Sequence, residues 1–215
     1  MRSDHIRRID PARPEPEIIE EAAGAIAAKK VVVFPTRCLY GLGADAFDAQ
    51  TVEQVFSLKQ RPENKPVLVL IPNRREVSRL ATRVSEAARR LMDEIWPGDL
   101  TLVFFARPEV PEILTAGTGK IGIRLPGHPA AAALVEAIGR PITGTSANLS
   151  GGSGVARVQE LAPEIADRVD LILDAGPLKG GVGSIVVDVT VDPPKILREG
   201  RLLASDLAPF LSLRD

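Results

Sequence analysis

The chain has a single cysteine, Cys38, and two histidines, His5 and His128. With one thiol, no intramolecular disulfide can form, which fits a reducing compartment. One cysteine and two distant histidines also exclude a His/Cys structural metal site. A basic surplus is missing too: 27 lysines and arginines face 28 aspartates and glutamates, for a formal net charge of −1. Proteins that live on duplex nucleic acid usually show such a surplus. One tyrosine and one tryptophan offer little for base stacking. Strong direct nucleic-acid binding is therefore not expected. Charges interrupt the N-terminal thirty residues throughout, so neither a signal peptide nor a transmembrane span is expected. The expected setting is soluble and cytoplasmic. No G-x-S-x-G elbow is present, and so few histidines support no nucleophile–histidine pair. Covalent catalysis is not the natural reading.

What is present suits one medium domain. Hydrophobic residues make up 45% and charged residues 26% of 215 positions, enough for a real core. Residues 1–14 end in proline punctuation and read as an arm, with residues 15–215 as the domain. Apolar positions at helical spacing from Glu17 predict a helix ending near Lys29 and Lys30. VVVFP (31–35) predicts a buried strand. YGLGADAFDAQ (40–50) reads as glycine-punctuated loop, and 51–59 as a helix. Further strands are expected at 67–71, 101–106, 120–125, 141–145, 169–174, 184–189 and 195–200. Helices are expected over 75–95 in two pieces, 129–138 (with a proline start and a Gly139 stop), 158–167 and 205–213. Apolar strands alternating with helices indicate α/β, and the strand-rich second half indicates a mixed sheet.

Two familiar phosphate motifs fail. Gly41-x-Gly43-x-x-Ala46 is not followed at once by a helix, as a dinucleotide fingerprint requires. Gly117-Thr118-Gly119-Lys120 lacks the first P-loop glycine and is followed by Ile121, not Ser or Thr. Three other groups remain as anion-binding candidates. In SLKQRPENKP (57–66), Pro62 forces Arg61 out of helical geometry, so Lys59 and Arg61 can swing toward one site. A planar fork plus a movable point charge suits a polyphosphate; a solvated helix end is the plain alternative. TSANLSGG (145–152) follows a strand and offers hydroxyls, an amide and free N–H groups to an anion, or else a turn that caps itself. Arg124 interrupts the apolar IGIRLP and needs a partner if buried; otherwise it lies on the wet face of an edge strand. Arg198 in ILREG poses the same choice. WPGDLT (96–101) reads as a structural turn with a bulky anchor.

These segments resemble the YrdC/TsaC family of threonylcarbamoyl-AMP synthases. PTRCLYGLG (35–43), Lys59-x-Arg61-Pro62, WPGDLT, IGIRLPGHP (121–129), TSANLSG (145–151), GSIVVD (183–188) and LREG (197–200) occur in the family's order, over roughly residues 18–203. The resemblance implies a single α/β domain, a twisted mixed sheet flanked by helices around a deep basic cavity. It implies condensation of L-threonine, bicarbonate and ATP to threonylcarbamoyl-adenylate and pyrophosphate. ATP would be a substrate carrying Mg²⁺, with no metal ligands from the protein. The product would pass to a threonylcarbamoyl-transferase complex acting on tRNA. By position, Lys59 and Arg61 would be catalytic. They would hold ATP together with Asn64, Lys120, Ser146, Asn148 and Arg198. Thr36, Arg124, Gly144 and Ser184 would hold threonine. Many members carry Glu or Asp after the first threonine, and a histidine in the strand after Lys-x-Arg. Here those places hold Arg37 and Val69 or Leu70. The chain ends soon after LREG, as expected of a short form without the C-terminal domain of longer members. The competing readings are a YciO-like paralogue of unknown substrate, a tRNA or double-stranded RNA-binding module, and the related domain of hydrogenase-maturation carbamoyltransferases.

Overall fold

The computed structural model describes residues 4–211. Ile6–Arg8, inside the segment expected to be an arm, forms a short strand, β1. Helix α1 (Pro16–Ala27) starts on a proline and buries Ile19, Ala22, Ala23 and Ile26 along one stripe, as the spacing predicts. Strand β2 (Val32–Pro35) is wholly buried. The next stretch, expected to be loop, is instead strand β3 (Tyr40–Gly43), antiparallel to β2. Its glycines are a packing requirement rather than turn signals. A Cβ on Gly43 would meet the Phe34 ring at 3.0 Å, and one on Gly41 at 3.1 Å. Helix α2 (Ala49–Lys59) is capped by Asp48, whose carboxylate accepts from the Thr51 N–H at 2.9 Å. It starts two residues before the expected Thr51, because that cap lies at Asp48. It stops where Gln60 turns left-handed, φ 49°.

Strand β4 is only Val69–Leu70. Helices α3 (Val77–Leu80) and α4 (Glu86–Ile95) are the expected two pieces, the second capped by Ser85. Strand β5 (Leu100–Phe105) is followed by a short helix α5 (Glu112–Thr115), then strand β6 (Lys120–Arg124). Helix α6 (Pro129–Ile138) ends on Gly139 at φ 67°. The strand expected at 141–145 breaks at Gly144 into β7 (Ile142–Thr143) and β8 (Thr145–Ser146), which join different sheets. The helix expected over 158–167 is a 3-10 turn at Val158–Glu160 and a short α7 (Pro163–Ala166). Pro163 fits a first turn and cannot continue an earlier helix. Strands β9 (Leu171–Asp174), β10 (Ile185–Asp188) and β11 (Lys195–Arg198) follow, then α8 (Ala204–Leu211). Residues 212 and 213 of the expected terminal helix lie outside the described residues.

The strands form two mixed sheets rather than one, in the orders β1-β9-β2-β3-β8 and β11-β10-β5-β6-β4-β7. The first contains parallel β1–β9 and β9–β2 pairs; in the second, β10–β5 and β6–β4 are parallel and the rest antiparallel. One core cluster joins the sheets: Ala130, Leu134 and Val135 of α6 and Ile19 and Ile26 of α1 pack with Val32 and Phe34 of the first sheet and Leu70 and Ile142 of the second. That shared core holds the two sheets around one cavity.

Candidate active site

The cavity has a volume of about 530 Å³ and takes its walls from both sheets. Of the expected site residues, Thr36, Arg61, Lys120, Arg124, Gly144, Ser146, Ser184 and Arg198 line it. Lys59, Asn64 and Asn148 do not.

One end is built from the α2 terminus and the 145–152 loop. The left-handed turn at Gln60, followed by Pro62, sends Arg61 away from the helix into the cavity wall. Its Nε donates to the Lys65 carbonyl at 3.0 Å and its Nη2 to the Pro66 carbonyl at 2.7 Å. Lys59 goes the other way. It is buried, and its ammonium donates to the carbonyl of Ser146 and, at 2.8 Å, to that of Asn148. Its own carbonyl accepts from Ser150 N–H at 2.7 Å. Lys59 thus clamps the loop rather than reaching into the cavity. Burial, with Arg61 nearby, lowers the Lys59 ammonium to about 7. Ser146 Oγ donates to Asn148 Oδ1. Asn148 Nδ2 donates to the carbonyls of Leu149 at 2.7 Å and Gly152 at 2.8 Å, so the Asn148 amide caps its own turn. Asn64 is exposed in the turn after Pro62.

Arg198, on the edge strand β11, extends Nη2 to the Ser184 carbonyl at 2.8 Å. Burial lowers both Arg61 and Arg198, and Arg61 is lowered further by Arg198. Two guanidiniums in mutual repulsion on one wall form a place for an anion. Beside them, Lys120 Nζ pairs with Asp188 at 2.9 Å and lies 5.5 Å from the Phe105 ring centroid. Lys120 lies partly over the ring face, a geometry that suits a cation. Ser184 is buried and its Oγ lies 2.7 Å from Thr101 Oγ1.

The other end centres on a residue read from sequence as part of a structural turn. Asp99, buried, immediately precedes β5. Its Oδ1 accepts from Arg124 Nη2 at 2.6 Å, while Arg124 Nε donates to the Gly98 carbonyl at 2.7 Å. Burial lowers Arg124, and Asp99 opposes that shift. Asp99 Oδ2 is 3.3 Å from Arg37 Nη1 and 3.9 Å from Arg201 Nη1. Thr36 Oγ1 donates to the Leu39 carbonyl at 2.5 Å, which holds the β2–β3 turn against this end. Gly144 must lack a side chain, because a Cβ there would stand 2.6 Å from Leu68 Cδ1. Cys38 and His128 also line the wall. His128 Nδ1 is buried without a partner, and burial together with Arg37 lowers its imidazole.

Asp99, His128 and Arg37 are the functional candidates that role assignment by sequence missed. One signal was available. An aspartate at the head of an apolar strand needs a cation when buried, and Arg124 interrupts a neighbouring apolar run. Trp96 is the anchor expected of the same turn, its Nε1 donating to the Leu100 carbonyl at 2.8 Å. Among the described residues, no three His, Cys, Asp or Glu side chains gather as a metal site, and no helix is long and apolar enough to cross a membrane. The arrangement can bind a large anion at one end and a carboxylate at the other, with the reacting atoms between them.

The Sua5/YciO/YrdC family model, described as "Telomere recombination", matches residues 24–200. The chain is 38% identical to a threonylcarbamoyl-AMP synthase of Pyrococcus abyssi over 184 residues, 86% of this chain and 54% of that protein. It is 36% identical to a putative threonylcarbamoyl-AMP synthase of Mycobacterium tuberculosis, over 91% of this chain and 89% of that one. The chain thus spans about half the length of the Pyrococcus and Bacillus subtilis relatives (54% and 53%). Among solved structures, P. abyssi Sua5 complexed with L-threonine superposes with a TM-score of 0.92 at 35% identity, covering 96% of this chain and 61% of that one. Escherichia coli YciO superposes with a TM-score of 0.83 at 31% identity, covering 91% and 95%.

Proposed function

The chain belongs to the Sua5/YciO/YrdC family, and from that premise we propose that it is a threonylcarbamoyl-AMP synthase. It joins L-threonine, bicarbonate and ATP to threonylcarbamoyl-adenylate and releases pyrophosphate. The observation that carries the reading is one cavity with a carbonyl-held group of cations at one end and the Asp99–Arg124 pair at the other. A similar protein, P. abyssi Sua5, has been crystallised with L-threonine.

Arg61, Arg198, Lys120 and Ser146 hold the triphosphate, which enters with its own Mg²⁺. Lys59 and Asn148 act by shaping the loop that carries Ser146. Arg124 takes the threonine carboxylate with Nη1, which has no protein partner among the described residues. Thr36 and Gly144 form the rest of that end, and Ser184, which holds Arg198 by its carbonyl and is followed by Ile185 bonded to the Asp99 carbonyl, joins it to the other. The chemistry is an attack of a carbamate oxygen on the α-phosphorus, with the α–β bridging bond breaking and pyrophosphate leaving. It needs positioning and charge stabilisation, not a protein nucleophile. The labile product is passed on in the cytoplasm to a threonylcarbamoyl-transferring complex that modifies tRNA.

Pyrophosphate release by the purified chain, with ATP, threonine and bicarbonate each omitted in turn, tests this. Release that requires all three supports it. Release indifferent to threonine, or none, overturns it. A second reading, a YciO-like protein acting on another amine, is favoured by the match to nearly the whole E. coli YciO structure, 95% of its length. Release with a different amino acid in the same assay would select it.

A further inference from the structure

A second concavity lies outside the site. It is a shallow pocket of about 100 Å³ where the start of α4 meets the end of β5 and the residues just past β10, and it shares no lining residue with the cavity. Phe104, Phe105, Val189, Val191 and Pro194 make it apolar. Phe105 is 48% and Val191 45% exposed. Single exposed apolar side chains need no explanation, but several around one concavity mark a contact surface. Arginines surround it. Residues 74–90 hold six arginines and two glutamates in a chain of net charge −1. Arg74, Arg79 and Arg90 pair with Asp93, Glu76 and Glu86. Arg75, Arg83 and Arg89 have no ion pair among the described residues. Arg83 is in the pocket wall, and Arg89 stands one helical turn from Ser85, also in the wall. Arg107, two residues past Phe105, donates from Nε to the Ser78 carbonyl at 2.8 Å and likewise has no carboxylate partner there. Against these four guanidiniums stand Asp192, in the pocket wall, and Glu109, two residues past Arg107.

Size and chemistry select the occupant. A pocket of about 100 Å³ falls well short of the roughly 300–1,000 Å³ of small-molecule sites; it has room for one side chain. A nucleobase would bring polar edges to an apolar floor, and Asp192 in the wall would repel its phosphate. A peptide brings an apolar side chain, backbone N–H groups that Asp192 can accept from, and carboxylates for the arginines. An apolar centre with an arginine rim is also the usual make-up of a protein–protein contact. We propose that this face docks an acidic segment of a partner protein, which sets one large apolar side chain into the pocket and its flanking carboxylates on Arg83, Arg89 and Arg107. The face adjoins the triphosphate end of the cavity. The Phe105 ring centroid lies 5.5 Å from Lys120 Nζ, and Thr190, in the pocket wall, donates from Oγ1 to Asp188 Oδ1 at 2.6 Å. A docked partner therefore stands beside the site while its cavity stays open. The inference does not rest on the synthase reading.

The test measures fluorescence anisotropy with the full chain. The probes are short labelled peptides with glutamates on both sides of a central phenylalanine, leucine or alanine, the same peptides with lysine flanks, and a short RNA duplex. Wild type should bind the phenylalanine or leucine peptide about tenfold tighter than the alanine one, the gain from burying one apolar side chain. Added salt should weaken that binding. Val191→Asp should abolish the preference for the apolar centre. Arg83→Glu should weaken the glutamate-flanked peptides about tenfold and favour the lysine-flanked ones, a reversal that loss of folding would not produce. Equal binding of the alanine peptide overturns the inference, since the pocket is then unused. So does binding that ignores the sign of the flanks, or no peptide binding by wild type. An RNA duplex bound more tightly than every peptide, and released by Arg83→Glu, overturns it in favour of a nucleic-acid contact. None of these outcomes bears on pyrophosphate release, which tests the synthase separately.

Discussion

At one end of the cavity the guanidiniums are held by backbone carbonyls, with Lys120 beside them on Asp188; at the other, three guanidiniums share a carboxylate. Lys59 donates to the carbonyls of Ser146 and Asn148, Arg61 to those of Lys65 and Pro66, and Arg198 to that of Ser184. A carbonyl dipole orients a cation without cancelling its charge. Arg124, Arg37 and Arg201 instead surround Asp99, which orients them and cancels part of their charge. The first arrangement keeps full repulsion between neighbouring cations until a polyanion relieves it. The second suits one or two single carboxylates, and it discriminates by geometry more than by total charge.

Lys59→Met should break the carbonyl-held end most completely. It removes a charge and leaves the Asn148 carbonyl without its donor, while that of Ser146 keeps the Asn148 N–H. Pyrophosphate release should fall by on the order of 10²–10³-fold. Stability should fall by about 1–3 kcal/mol, the cost of the orphaned acceptor, read as a shift in the denaturant midpoint. Lost activity with an unmoved midpoint would mean that Lys59 does not hold the loop. Asp99→Asn attacks the other end alone. The pair with Arg124 is largely buried, with side-chain exposures of 7% and 13%; breaking such a pair costs about 3 kcal/mol. The KM for threonine should rise on the order of tenfold while the KM for ATP holds. A parallel rise in both would show that the two ends are not separable.

Much of this contrast was legible in the sequence, and its limits are physical. The apolar runs of β2, β5, β6, β9 and β10 and the stripe of α1 announced the α/β fold, because burial periodicity is local information. The division into two sheets was not legible. It turns on Gly144, where the chain steps from β7 to β8, and on β3, whose glycines look like a turn until the Phe34 ring is placed against them. For the site, Pro62 implies that Lys59 and Arg61 converge on one place; in the structure they diverge, Lys59 into the 145–152 loop and Arg61 into the cavity wall. Residue spacing showed that both cations could reach one place. It could not show that the Ser146 and Asn148 carbonyls, far along the chain, would claim one of them. Asp99 was passed over because Trp96, its neighbour, explained the segment well enough.

A milder perturbation sharpens the comparison through pH. Burial brings the Lys59 ammonium from an ordinary 10.5 to about 7. Between those values the unfolded chain holds a proton that the folded chain has released. From this group alone, stability should therefore rise with pH across that window. Activity should move oppositely. As pH climbs past 7 the ammonium is lost, the loop carbonyls keep a weaker donor, and ATP affinity should fall by at most about tenfold per pH unit. Titrating ATP affinity from acid to alkaline pH, in wild type and in Lys59→Arg, checks this. A wild-type profile as flat as that of the always-charged arginine would remove Lys59 from the ionisation account.

The smallest effect is expected at Lys65, and it decides what the carbonyls are for. Lys65 belongs to the same basic segment as Lys59 and Arg61, but its side chain is exposed. What the site uses from this residue is its backbone carbonyl, which accepts from Arg61 Nε at 3.0 Å. Lys65→Ala keeps that carbonyl and deletes the charge. Stability should stay within about 0.5 kcal/mol of wild type, and the KM for ATP should not change at physiological salt, where an exposed charge beyond contact distance is screened. The alternative is that the segment draws ATP by its summed charge. Lys65→Ala would then raise the KM for ATP, the more so at low salt, and the manner in which each cation is held would be incidental. A KM that ignores Lys65 but responds to Arg61→Ala would place the discrimination in the carbonyl-held geometry, because both substitutions remove one positive charge from the same short stretch of chain.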